Sequence, residues 1–273
     1  MVKLVFVDMD DTFLNPQKEI TEENAHILDV AYERGVQFVP CTGRNISGLP
    51  KQLVEHPCVR YAVCGNGGLI VEADTGKVLR KIPIEKSTLH RLYAQLRDLY
   101  VTFDIFSGDK IYSSRKRFEP FYSVDVGDAM RRFIISERTL VDIETDALLD
   151  AVGDITKATV FYTTPEDKKK VFSAVATHPD LVCVQSLPVN AEISNVEATK
   201  GKGLVWLSNY LGIAIADTIA FGDSSNDLSM IEAAGDGVAM GNATDEVKAV
   251  ADHMTASCAD SGVARYLEPL LEK

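Results

Sequence analysis

KLVFVDMDDT (residues 3–12) carries four apolar residues in a row, Leu4 to Val7, and directly after them Asp8, Asp10 and Asp11. A strand with no polar face is covered on both sides, as parallel strands of α/β sheets are. The carboxyl ends of such strands are where these sheets gather ligands, so three carboxylates at that point require a cation or a chemical role.

The flanking sequence continues the pattern. Thr21, followed by Glu22 and Glu23, can cap a helix whose apolar residues Ala25, Leu28, Ala31 and Tyr32 recur at helical spacing, with Gly35 to end it. "VQFVPC" reads as a second strand, followed by Thr42-Gly43-Arg44 and a helix over 45–55; "YAVC" reads as a third. "LIVEADTGKVLRKI" has the pattern of a hairpin around Asp74-Thr75-Gly76. From residue 84 the texture changes: helices alternate with the hairpin "VTFDIFSGDKIYSS" and the strands "KATVFYTT" and "LVCVQS". After residue 188 the strand–helix rhythm returns through "KGKGLVWLSNYLG", "TIAFGD", "SNDLSMIEAAG" and "GVAM". The expected architecture is an α/β, Rossmann-like parallel-sheet core formed by 1–83 and 188–273, with an α+β domain inserted over 84–187.

Charge separates the two parts. The chain of 273 residues carries a net charge of −12; residues 84–187 hold 14 Lys/Arg against 16 Asp/Glu, so the acidity belongs to the core. Such a balance disfavours nucleic acid and anionic membrane surfaces as partners. The five cysteines are scattered without a CxxC pair, which indicates small core residues rather than a disulfide framework. No run reaches the ~18 apolar residues of a membrane span, and a reducing cytoplasm is the expected compartment.

Four polar signals fall at strand ends: Asp8 and Asp10, then Thr42-Gly43-Arg44, then Lys200, then "GDSSND" over 222–227. Each alone has a plain reading as a cap, a turn or a surface residue. Together on one rim they do not, because converging carboxylates repel unless a cation is present. Hard oxygen ligands suit Mg²⁺, which shares its shell with phosphate, while Thr42, nearby main-chain N–H groups and Lys200 supply an anion-binding half. A carboxylate nucleophile beside both is equipment for phosphoryl transfer.

"DMDDT" resembles the DxDxT signature of the haloacid dehalogenase superfamily, and Thr42, Lys200 and "GDSSND" resemble its second, third and fourth motifs in order. The large α+β insert between Thr42 and Lys200 is similar to the mobile cap of its Cof-type phosphatases. The resemblance implies Asp8 as nucleophile and Asp10 as general acid and then base. It implies that Thr42, Gly43, Arg44, Lys200 and Asn226 hold the phosphoryl group. Mg²⁺ would be bound by Asp8, Asp223 and the main-chain carbonyl of Asp10, with Asp227 ligating directly or through water. Thr12 would steady the first loop. Asn66-Gly67 fits either a substrate loop or a plain turn. Asp11 stands where the superfamily often has glycine and is expected to serve the backbone, since aspartate tolerates unusual angles.

The expected activity is Mg²⁺-dependent hydrolysis of a small phosphorylated metabolite, sugar phosphates first among them, as a monomer or a homodimer. Sugar phosphomutases share these motifs and stand as the alternative within enzymes. A non-catalytic phosphate- and metal-binding module is the alternative outside them, disfavoured by retention of every motif side chain.

Overall fold

The computed structural model describes residues 2–271. They divide into two compact units, Met1–Arg80 with Ala198–Lys273, and Lys81–Glu197. The first unit contains β1 (Leu4–Val7), β2 (Gln37–Pro40), β3 (Tyr61–Cys64), β4 (Leu69–Glu72) and β5 (Val78–Lys81) from the N-terminal segment. The insert contains β6 (Asp104–Ser107), β7 (Lys110–Ser114), β8 (Arg138–Val141), β9 (Ile155–Phe161), β10 (Leu181–Val184) and β11 (Asn190–Asn195). The chain then returns with β12 (Thr218–Gly222), β13 (Asp236–Ala239) and β14 (His253–Met254).

The first sheet has the order β14-β13-β12-β1-β2 and is parallel throughout, with Val7 in register with Pro40 on one side and Phe221 on the other. All four residues of β1 are buried, as their unbroken apolar character requires. From β1 the chain builds outward to β2, and from β12 it builds the other way to β13. The crevice at the carboxyl ends of β1 and β12 is therefore the topological switch point, where open α/β sheets place ligands. The "YAVC" strand, expected within this sheet, belongs instead to a three-stranded sheet β3-β4-β5, joined to the first by a parallel bridge between Cys41 and Val63. The expected helix over 45–55 is broken at Pro50 into a short turn, Ile46–Gly48, and a single helical turn, Lys51–Val54.

Helix Glu22–Glu33 starts on Thr21, whose hydroxyl accepts the Asn24 N–H at 3.2 Å. Buried Asn24 donates to the Phe13 carbonyl at 2.8 Å and accepts the Ala264 N–H at 3.2 Å, tying the turn after β1 to the C-terminal helix Gly262–Leu271.

In the insert the sheet runs β10-β11-β9-β6-β7-β8, antiparallel except for the β7–β8 pair. One face packs on helices Lys86–Leu96, Thr145–Ala151 and Pro165–Ala176 through Leu89, Leu96, Leu149 and Val171 against Ile105, Ala158, Val160 and Ile193. Phe161, turned to the other face, packs with Phe118, Phe121, Val124 and Ile134. The second crossing between units falls at 197/198 rather than 187/188, because Asn190–Asn195 pairs with both β9 and β10. No helix among the described residues is long and apolar enough to cross a membrane.

Candidate active site

Asp8 follows β1 directly and is buried. The chain then makes a wide turn over Met9–Phe13, closed by Phe13 N–H to the Asp8 carbonyl at 3.1 Å and Leu14 N–H to the Met9 carbonyl at 2.9 Å. Asp11 holds that turn at φ +60, the left-handed region that aspartate enters more readily than most residues. Its carbonyl accepts the Asn242 side chain at 2.7 Å, so Asp11 serves the backbone as expected. Thr12 donates to Asp223 at 2.8 Å and so joins the loop after β1 to the loop after β12.

The Asp10 carboxylate leaves this cluster. Its two oxygens accept Arg44 Nε at 2.8 Å and Nη2 at 2.6 Å, a bidentate fork, and Lys18 Nζ lies 3.3 Å away. Arg44 is anchored through Nη1 to the Gly48 carbonyl at 2.7 Å, and its N–H donates to the Thr42 hydroxyl at 3.1 Å. Thr42 is buried at the end of β2, its N–H bonded to the Val63 carbonyl at 2.8 Å. Lys18 sits at φ +65 in a turn held by the Asn15 side chain, which accepts the Gln17 and Glu19 N–H groups; Lys18 reaches Asp11 at 3.2 Å as well. Lys18 was not foreseen; the Asn15-Pro16 turn signal was available, but its partner in space was not.

Lys200 opens helix Lys200–Tyr210, which Thr199 caps. Fully buried, its ammonium is shared between Asp8 at 2.5 Å and Asp227 at 2.6 Å. The other Asp227 oxygen accepts the N–H groups of Asp223 and Ser224, both at 3.0 Å. Gly222 leaves room for this: a Cβ there would collide with the Asp227 side chain. Asn226 donates to Asn66 at 3.3 Å, while its own buried Oδ1 has no partner. Asn66 and Gly67 both adopt positive φ, so this stretch is a strained turn, and it abuts the site through Asn226.

Burial, and next to it the charge of Asp227, push the Asp8 carboxyl well above the ordinary range against the pull of Lys200. Burial and Asp227 likewise push Asp223 up to about 7. Burial raises Asp10 too, but the charge and hydrogen bonds of Arg44, with Lys18, outweigh it and leave that carboxyl below its usual value. Lys200 is lowered by burial, yet Asp227 and Asp8 more than compensate and raise it. Burial is the largest cause for both Asp8 and Asp223, and a cation bound beside them would oppose it.

One oxygen from each of Asp8, Asp223 and Asp227 lies within 4.8 Å of the others, a hard-oxygen set that fits a small divalent cation such as Mg²⁺. The ammonium serving Asp8 and Asp227 makes no hydrogen bond to Asp223, which relies on Thr12 and on Ser224 at 2.8 Å. The Asp10 carboxylate stands outside the set. Asp8, Asp223, Asp227 and Lys200 therefore come together, Thr12 and Asn226 adjoin them, and Thr42, Arg44 and Asp10 form a second group beside them.

The sequence pattern of haloacid dehalogenase-like hydrolases matches residues 5–267. YxeH of Bacillus subtilis is 32% identical, the alignment covering 99% of each chain. The 5-amino-6-(5-phospho-D-ribitylamino)uracil phosphatase YcsE of the same organism is 27% identical over 97% of this chain and 94% of its own. Among solved structures, a haloacid dehalogenase-like hydrolase from B. subtilis superimposes with a TM-score of 0.86 at 26% identity, over 98% of this chain and 100% of the other.

Proposed function

The chain belongs to the haloacid dehalogenase-like hydrolase family and is a phosphatase, and from that premise we propose that it hydrolyses small phosphorylated metabolites, sugar phosphates first among them, through a phosphorylated Asp8. The observation that carries the reading is the buried Asp8–Lys200–Asp227 arrangement at the switch point, with Asp223 beside it.

In the first step an Asp8 oxygen forms a bond to phosphorus as the bond to the leaving oxygen breaks, and that oxygen takes a proton from Asp10. In the second a water, deprotonated by Asp10, attacks the same phosphorus and releases phosphate and free Asp8. Both Asp10 oxygens are engaged by Arg44, so Asp10 becomes available once Arg44 has another anion to hold. The incoming phosphoryl group is that anion, with Thr42, Gly43, Lys200 and the Asn226 amide as its further partners. Mg²⁺, held by Asp8, Asp223 and the main-chain carbonyl of Asp10, would neutralise charge on the phosphoryl oxygens. Asp227 would reach it through water, since the Asp227 oxygens already serve Lys200 and two N–H groups.

The insert would select the leaving group, because the rim residues address features common to all phosphoesters. A cytoplasmic setting suits five free cysteines. The test is phosphate release across a panel of phosphometabolites with Mg²⁺, with Ca²⁺ and after chelation. Turnover is expected with Mg²⁺, poor turnover with Ca²⁺ and none after chelation; unchanged rates after chelation would remove the metal from the scheme.

A further inference from the structure

The turn that follows the Asp8–Phe13 loop places a lysine where the backbone does not favour one. Leu14 and Ile20 close this turn by an antiparallel bridge. Within it the Asn15 N–H donates to the Glu19 carbonyl at 2.9 Å and the Lys18 N–H to the Asn15 carbonyl at 2.8 Å. Lys18 completes the turn at φ +65, a region that glycine enters freely and a residue with a Cβ enters at a cost. Four non-glycine residues among those described have positive φ. Asp11, Asn66 and Ser261 carry short polar side chains, which such a backbone tolerates best, and Lys18 is the exception.

What the turn gains is the position of one ammonium. Lys18 Nζ lies 3.3 Å from Asp10 Oδ1 and 3.2 Å from Asp11 Oδ2. Stability is a poor account of these pairs, because the Asp11 side chain is 40% exposed and ion pairs open to water are worth little. The two cations around Asp10 also differ in which oxygens they reach. Arg44 holds both, Nη2 on Oδ1 and Nε on Oδ2, whereas Lys18 faces Oδ1. When Arg44 turns to a phosphoryl group, Oδ1 therefore keeps a cation and Oδ2 is released.

We propose that Lys18 is a positioning residue of the hydrolysis: it pins Asp10 Oδ1 while Oδ2 carries the proton, and the Asp11 carboxylate holds Lys18 in place. The inference rests on the reading of Asp10 as acid and then base. In the first step Asp8 bonds to phosphorus, the bond from phosphorus to the leaving oxygen breaks, and that oxygen takes the proton from Asp10 Oδ2. In the second step Oδ2 takes a proton from the attacking water. A carboxyl protonated on Oδ2 still accepts the Lys18 ammonium at Oδ1, so one arrangement serves both steps. Without Lys18, a carboxyl released by Arg44 turns about its Cβ–Cγ bond, and the geometry that proton transfer requires is lost.

The test compares the full chain with Lys18→Met and Asp11→Gly, the second chosen because glycine suits φ +60. Two substrates separate the roles: an alkyl phosphoester, whose leaving oxygen must be protonated, and p-nitrophenyl phosphate, whose phenolate departs without a proton. For Lys18→Met the ratio of kcat/KM for the alkyl ester to that for p-nitrophenyl phosphate is expected to fall about tenfold, part of the ~10²–10⁴ that a placed acid contributes. Asp11→Gly should lower the same ratio by about threefold. A merely structural role would lower both rates alike, so an unchanged ratio in Lys18→Met would overturn the proposal. Independently of turnover, a crystal structure of the Asp8→Asn protein with inorganic phosphate is expected to show Arg44 on the phosphate, Lys18 still on Asp10 Oδ1, and Oδ2 free of both. Arg44 still forked on Asp10, or Lys18 transferred to the phosphate, would equally overturn it. Absence of phosphate release by the parent from any phosphoester, with that exchange seen in the crystal, would instead count against the hydrolytic reading and leave the role of Lys18 at Asp10 standing.

Discussion

Lys200 divides one ammonium between Asp8 and Asp227, and all three side chains are buried. Lys200→Met leaves two buried carboxylates facing each other, and loss of one partner from a buried ion pair costs about 3–5 kcal/mol. Urea unfolding is expected to register that loss, with phosphate release abolished; a variant of parental stability would show that Lys200 does not hold the cluster together. Asp223 gives a second expectation, with a sign that can be worked out. Its carboxyl is raised from 3.8 to about 7 in the folded protein, so across that window the folded state binds more protons than the unfolded chain. Its contribution to stability is therefore lost as pH rises from about 4 through about 7. In chelator, Asp223→Asn should gain stability relative to the parent on going from pH 5 to 7.5, and Mg²⁺ should shrink the difference. A pH-independent difference would contradict the shift. At this scale the sequence marked Asp8, Thr42, Lys200 and Asp223 as candidates, because each follows a recognisable strand or opens a recognisable helix. It did not reveal the fork between Arg44 and Asp10, since 34 residues separate them and no local pattern specifies a side-chain direction.

Among the elements, β12 depends on a residue that contributes no side chain. Gly222→Ala puts a methyl into Asp227, which must move and release either Lys200 or the N–H groups of Asp223 and Ser224. Overpacking of this kind costs about 1–3 kcal/mol, and kcat is expected to fall at least tenfold with it. Thr21→Ala is the contrast: loss of the cap on helix Glu22–Glu33 should cost about 1 kcal/mol while kcat stays within twofold. Equal effects of the two on kcat would mean that general loosening, not the position of Asp227, governs turnover. The strands β1, β12 and β13 were readable as continuous apolar runs because both their faces are covered. The return of the strand–helix rhythm places residues 188–197 with the core, whereas Asn190–Asn195 pairs with β9 and β10 inside the insert. Periodicity reports that a face is polar; it does not report what lies against it.

For the molecule as a whole, the two-part division was legible from the change of rhythm near residue 84, since hairpins and crossover helices leave different patterns. What the linear order conceals is the time that separates partners. β1 lies between β2 and β12 in its sheet, yet β12, in register with it from Thr218 to Phe221, is made some two hundred residues later. At ~5–20 residues per second that is roughly 10–40 s on the ribosome. Through that interval Leu4–Val7 has one strand edge without its neighbour, its N–H and C=O groups unpaired and both its faces apolar. The insert meets no such delay, because its sheet is complete by Asn195 and is made largely of neighbours in sequence. Pulsed hydrogen exchange during refolding should accordingly protect Ile155–Phe161 before Leu4–Val7, and the reverse order would contradict this. The grouping of Asp8 with Asp223 and the open edge of β1 in the nascent chain are thus two results of closing one sheet with segments far apart in sequence, and the second is a liability to aggregation.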